Sequence, residues 1–595
     1  METVANKAQA SAVAAQANDA NASPVQTPVG LSAAAATASA LLAACGGGGD
    51  AAPTTTAPPL ERPAPAPPTL ASTPASARDA ARFFSQASFG PRSPDEVEAL
   101  RKSGFEAWLQ QQFAMPAASH LAYLERYRAL NNDNRASDEL SYEAVWQQWL
   151  FEDGVLRARM SWALLQVFVI SNVAPDIRPH AMSSYLDMLN RNAFGNYRQL
   201  LEEVTLHPAM GYYLNLLESE KENPAKGTHP NENFAREVLQ LFSIGLTKLK
   251  VDGSAELDAQ GRAQPTFDEN VVKGFAKAFS GWSYGTLDNR NANAFHDHDD
   301  NVEALWQTPM QAWTSYHDAG PKTLLNGRVL PAGQTPQQDM KDALDSIFNH
   351  ANVGPFIARL LIQRLVTSNP SAAYIARVAA TFADNGAGVR GDLRAVLRAV
   401  LLDLDARGDD VAARSAFGKQ REPVLRFAQL LRGLNAKSSN GRNAIHYLDG
   451  ADEALGQSPL LAPSVFNFYA SGYRPAGPLA AAGLVAPEFQ ITSETTVVGS
   501  LNFFASVVFG GGYGWDASQL KLDFAPLLAA AVGDGAALIE RLDLLCCDLQ
   551  MSAATRTRLR TLLAALPAND SWQREQRVKS ALLLTLMSPD HVIQR

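Results

Sequence analysis

The sequence predicts a mainly α protein: one large multi-helical domain with long ordered loops and one or two small β-hairpins. Three observations lead there. Apolar residues recur at helical spacing from residue 77 to the C-terminus, capping residues punctuate those runs, and strand signals are few and short. No repeat of fixed period suggests a solenoid. A chain of 595 residues that is 46% apolar has ample material for a core, and a net charge of -9 with a pI near 5.7 argues against a nucleic-acid partner, which requires a basic surface.

The chain divides into three stretches: 1–45, 46–77 and 78–595, the last being one domain or two subdomains dividing near residue 330. An apolar small-residue run from Val29 ends in Leu42-Ala43-Ala44-Cys45 and resembles the lipobox of bacterial lipoprotein signal peptides. That resemblance implies cleavage before Cys45, a lipid anchor on Cys45, and an outer-membrane lipoprotein facing the periplasm or the cell surface. The segment before it departs from the pattern, since Lys7 is its only basic residue. Gly46–Gly49 and the Pro/Ala/Thr-rich run that follows carry no apolar periodicity and read as an extended tether. The best later apolar run, Met160–Ile170, is too short to cross a bilayer and reads as a buried helix.

In the folded part, Ala81–Phe89 is a helical run closed by Gly90-Pro91, and Ser93-Pro94-Asp95-Glu96 opens the next helix with an N-cap serine, a first-turn proline and a Glu at the third position. Phe105, Trp108, Leu109 and Phe113 continue at helical spacing, followed by Ser141–Glu152, Leu156–Ser171 and Tyr197–Leu217, the last interrupted at His207-Pro208. His229–Gly245 reads as one two-faced helix: Phe234, Val238 and Leu241 form an apolar stripe, and Asn233, Arg236, Glu237 and Gln240 lie on another side. Asp252-Gly253 suggests a small hairpin within Lys248–Pro265. Thr266 to Glu269 suggests a capping box for a helix ending before Gly281, and Asn326-Gly327 a two-residue hairpin. Helical patterning returns from Gln337 to Ala436, and Leu455–Glu488 reads as an aromatic-rich surface loop packed over helices.

Two groups carry candidate chemistry. Asn233, Arg236 and Glu237 can line a groove, with Glu237 as a general acid or base, or else Arg236 and Glu237 serve a structural ion pair. His317, Asp318 and Lys322 form a polar turn suited to anion binding or proton transfer, or a turn closed by the Asp318 side chain. A divalent metal ion is a weaker option. His296-Asp297-His298-Asp299-Asp300-Asn301 starts like a calcium loop, but Val302 replaces the required Gly and Thr308 the closing Glu, which favours a solvated loop. Gly281-Trp282-Ser283-Tyr284-Gly285 matches a nucleophile-elbow pattern without the preceding strand, and the glycines of Phe509–Trp515 lack G-K-[ST].

Taken together, Ala81 to Pro91, Asn231-Glu232-Asn233-Phe234-Ala235-Arg236-Glu237, Phe279-Ser280-Gly281-Trp282, His317 to Thr323, and Arg421-Glu422-Pro423-Val424 resemble the bacterial domain-of-unknown-function family 1800, from about Arg78 to Arg595. The resemblance implies a large helical exported protein of unassigned activity. It also implies a partner candidate, because the family's genes often neighbour those of exported proteins with a phosphatase- or sulfatase-like fold. Many relatives carry His where this chain has Phe242, so a mechanism needing that histidine does not transfer. Two functions follow as expectations: an envelope enzyme or ligand-binding protein whose polar cleft joins the two groups, or a non-catalytic scaffold using the Leu455–Glu488 loop.

Overall fold

The helices form where their caps and apolar stripes dictate. Ser93 accepts from the Glu96 N–H, Pro94 occupies the first turn, and the Glu96 carboxylate takes the Arg92 N–H, so the chain turns sharply into the Pro94–Ser103 helix. A computed structural model describes residues 70–131, 136–173 and 177–595; the Cys45 box and most of the tether lie outside them. Among the described residues there are 24 α-helices, and helix makes up 53% of the structure. Four two-stranded antiparallel sheets and scattered single bridges are the only β structure among those residues.

Helix Val155–Leu165 is buried along its whole length except at Arg157 and is surrounded by other helices, as its continuous apolar run demands. It ends at Leu165, short of the expected Ser171, with the Phe168 N–H still bonded to the Leu164 carbonyl. Against it lies the Arg421-Glu422 dipeptide. Glu422 is fully buried, and its Oε2 accepts from Trp162 Nε1 at 3.2 Å, Gln166 Nε2 at 2.7 Å and Gln457 Nε2 at 2.8 Å. Arg421 reaches the other way to Gln429, the Cys546 carbonyl and Asp548, whose other oxygen takes the Ser85 hydroxyl. Residues Lys419–Gln420 pair with Ile593–Gln594, so the end of the chain closes over the same region. One continuous apolar core runs from Ala80 to Leu586.

The His229–Gly245 stretch is helical only over Asn233–Gln240. The Asn231 carboxamide accepts from the Asn233 N–H and starts the helix there, leaving Pro230 outside it. At the other end the Leu241 and Phe242 N–H groups both turn back to the Glu237 carbonyl, and Gly245 takes φ +72. The next helix, Glu269–Ala278, is capped by Asp268 rather than Thr266, whose hydroxyl instead bonds the Gly245 carbonyl. This helix packs on the strand Lys322–Thr323, and a Cβ on Gly274 would sit 1.8 Å from the Thr323 carbonyl oxygen. The hairpin at Asn326-Gly327 forms with both residues at positive φ, pairing Lys322 with Leu330 and Thr323 with Val329.

The Leu455–Glu488 loop does pack over helices, with Leu455, Leu460, Phe468 and Tyr469 buried and the Tyr469 hydroxyl on Gln166 Oε1 at 2.9 Å. Phe468 and Tyr469 are therefore spent inward, while Tyr473 is half-buried and Phe466 exposed. Exposed apolar surface lies instead on the helix Glu494–Gly510, where Val497, Val498, Leu501 and Phe509 face outward and Trp515 follows. Among the described residues no helix is long and apolar enough to cross a membrane.

Glu422→Ala leaves three buried side-chain donors without their acceptor and is expected to cost about 3 kcal/mol or more in urea unfolding. A loss below about 1 kcal/mol would show that the buried carboxylate is not a structural hub.

Candidate functional site

The two groups expected from sequence occupy different surroundings. Glu237 lies on the inner side of the Asn233–Gln240 helix with only 6% of its surface exposed, and its Oε2 has no hydrogen-bond partner. Burial pushes its carboxyl above the usual carboxylate range, and the neighbouring Arg236 offsets part of that. Tyr213 is the nearby phenol, raised by its own burial and by the Glu237 charge. Asn233, one turn earlier, is exposed and donates to Asn215 Oδ1 at 3.3 Å. Arg236 points away: it is 38% exposed and pairs with Glu269 at 2.9 Å and Glu232 at 3.3 Å. The hydrogen bond from Arg236 to Glu269 raises the guanidinium's value further. Asn233 and Glu237 thus share a face, while Arg236 ties this helix to the start of the Glu269–Ala278 helix.

His317, Asp318 and Lys322 are all buried. His317 bonds the Ser280 carbonyl through Nδ1 at 2.8 Å and Asp339 Oδ2 through Nε2 at 2.8 Å. Lys322 Nζ, fully buried, contacts Asp339 Oδ2 at 2.6 Å, the Asp318 carbonyl at 2.5 Å and the Gly320 carbonyl at 2.8 Å. An ammonium has three N–H donors, and all three are taken. Asp318 accepts the Gly320 N–H on Oδ1 at 2.8 Å, while its own N–H donates to the Ser280 hydroxyl. The turn is therefore a buried internal cluster, with Asp339 Oδ1 left unbonded, that fixes the end of the 283–321 loop to the Pro336–Phe348 helix. No hydrogen bond or ion pair among the described residues joins it to Asn233, Arg236 or Glu237. Asp339, which sequence reasoning missed, is the centre of the cluster. It sits on a separate helix, and its only local signal is an acidic residue in the first turn.

Other tempting arrangements resolve on geometry. Ser283 is buried and donates to the Phe295 carbonyl, so the elbow-like pattern exposes no nucleophile. Ser184 and His207 line a cleft of about 890 Å³ with Asp187, Arg191 and Arg198, and their side chains are 3.3 Å apart. His207 Nδ1 accepts the Ala209 N–H, so Nε2 carries the ring proton and donates to Ser184. Burial, with Arg191 nearby, lowers His207 to about 3, which keeps the ring neutral in that tautomer. The imidazole cannot act as the base for that serine. Phe242 is fully buried among Phe168 and Phe234, a position of core packing.

The 296–301 loop is pinned to the body. His296 Nδ1 and His298 Nε2 contact the two oxygens of Glu218 at 3.1 Å and 2.5 Å, and Asp299 Oδ1 accepts from the Asn301 backbone and side chain. Glu218, held at φ +61, has no counterpart in the sequence reading.

A carboxyl raised on folding keeps its proton in the native state over a range where the unfolded chain has lost it, so stability falls as pH rises from the ordinary carboxylate value through the raised one. Glu237→Gln cannot ionise. It is expected to gain about 1–2 °C in melting midpoint over the parent between pH 4 and pH 8, the gap growing with pH. Parallel profiles would mean that Glu237 titrates alike in both states.

No curated protein and no solved structure matches the chain. The family described as "Protein of unknown function (DUF1800)" matches residues 82–593, nearly the whole described body. The chain belongs to the DUF1800 family.

Proposed function

We propose that this is an exported, lipid-anchored envelope protein whose helical body binds a polar ligand over Glu237. The anchor rests on Leu42-Ala43-Ala44-Cys45 and the tether after it, which separates the lipidated residue from the first described helix at Ala77. Its place is the outer membrane, on the periplasmic or cell-surface side. The observation that carries the ligand-binding part is the Glu237 carboxyl: packed, pushed up by burial, lacking a partner on one oxygen, and one turn from an exposed carboxamide. A buried acid in that state can donate a proton or a hydrogen bond to a ligand, as a spent ion pair cannot. His317, Asp318 and Lys322 hold the neighbouring architecture in this reading.

A second reading, docking of an exported partner with a phosphatase- or sulfatase-like fold, is favoured by the outward stripe of Val497, Val498, Leu501 and Phe509. Those residues make a 17-residue helix apolar on its exposed side as well as its buried one.

Cys45→Ser should move the protein from the membrane to the soluble fraction and remove the lipid mass from its N-terminus; unchanged fractionation would refute the anchor. Leu501→Asp and Glu237→Gln separate the two readings of the body. If Leu501→Asp abolishes co-purification with the protein encoded beside it and Glu237→Gln does not, the docking surface is the functional one. The ligand reading requires instead that a thermal-shift screen of sugars, short peptides and phosphate esters give a stabilising class that Glu237→Gln alone loses.

A further inference from the structure

We propose that Glu125, His180 and Glu303 form a binding site for a divalent transition-metal cation of the zinc class. The three residues come from separate elements: the helix His120–Asn131, the first turn of the helix Pro179–Asn192, and the start of the 3-10 turn Glu303–Trp306. Their ligand atoms all lie within 4.8 Å of one another. His180 is buried, with Nε2 2.7 Å from Glu125 Oε1 and 3.5 Å from Glu303 Oε2.

Arg128 prepares the arrangement. It binds the outer oxygens of both glutamates, Glu125 Oε2 at 2.7 Å and Glu303 Oε1 at 2.6 Å. One inner oxygen of each is thereby turned toward His180, the way outer hydrogen bonds orient ligating carboxylates. The imidazole and the Glu303 carboxylate open onto a cavity of about 170 Å³ that Asp300, Asn301 and Arg178 also line. At about 30 Å³ per water, it has room for an ion with its remaining waters.

His298 supplies an independent sign. Its side chain is 8% exposed, and its Nδ1 has no aligned hydrogen bond although it lies 3.1 Å from Asp300 Oδ1. A buried imidazole nitrogen is thus aimed at the carboxylate that lines the cavity. Asp300 lines the same cavity as His180 and Glu303.

A tetrahedral zinc with ligands at about 2.0–2.2 Å separates its ligand atoms by about 3.3–3.5 Å. The His180–Glu303 distance of 3.5 Å already meets this, and the 2.7 Å contact to Glu125 is a hydrogen bond that must open. Binding takes the lone pair of His180 Nε2, so a proton on that nitrogen leaves to solvent as the metal enters.

The test is calorimetric titration of Zn²⁺ into the chelator-treated full chain. One ion per chain is expected, with affinity at least tenfold weaker in Glu303→Gln and in His180→Gln, and about tenfold weaker in Arg128→Gln, which leaves the three ligands in place. Glu303 is 38% exposed, so its substitution should not unfold the chain, and circular dichroism checks this. Absence of stoichiometric binding would overturn the site. So would binding that Glu303→Gln and His180→Gln leave unchanged, which would place the ion elsewhere, for instance at Glu218, His296 and His298.

Discussion

The buried Arg421-Glu422 pair is the constraint on which the rest of the body depends. Two opposite charges sit side by side in sequence but serve different halves of the protein. Glu422 gathers donors from the central Val155–Leu165 helix, the residue just after it and the Leu455–Glu488 loop, while Arg421 reaches Asp548 and, through it, Ser85 of the first described helix. Glu422 Oε1 already lacks a partner, and removing a donor from Oε2 as well would be unfavourable by several kcal/mol, roughly, which ties these elements together. Pro423 then begins the next helix directly, where its missing N–H is harmless, and fixes the direction in which both side chains leave.

The same criterion separates architecture from available chemistry. In the His317, Asp339 and Lys322 cluster the ammonium donors and both ring nitrogens are occupied by protein groups. Such a cluster holds a loop in place, with Asp339 Oδ1 left without a hydrogen bond. Glu237 is packed nearly as tightly, yet its Oε2 has no hydrogen bond, whereas His298 Nδ1 meets Asp300 Oδ1 at 3.1 Å. Glu422 Oε1 and Asp339 Oδ1 share this lack, so what distinguishes Glu237 is the exposed Asn233 carboxamide one turn away. Arg236, conspicuous in the sequence, belongs to the first class, because Glu269 and Glu232 already hold it.

Much of the fold was legible because its determinants are local. The Ser93 cap, the break at His207-Pro208 and the Asn326-Gly327 turn each depend on residues within a few positions, and each forms as the chemistry of those residues requires. Helix extent was less legible. His229–Gly245 keeps an apolar stripe beyond its helical part, since Leu241 and Phe242 remain in the core after the backbone has turned. The site was the least legible. Glu237 could be singled out from its helix face, but Asp339 joins His317 across 22 residues and Glu303 joins Arg128 across 175, and no local pattern announces such partners.

The Glu125, His180 and Glu303 cluster gives the most direct test of where this body meets a ligand. Crystals of the full chain grown with Zn²⁺ and measured at the zinc absorption edge should carry an anomalous peak between Glu125 Oε1, His180 Nε2 and Glu303 Oε2. A map with that position empty, the three side chains still held by Arg128 and zinc bound only at other residues, would contradict it.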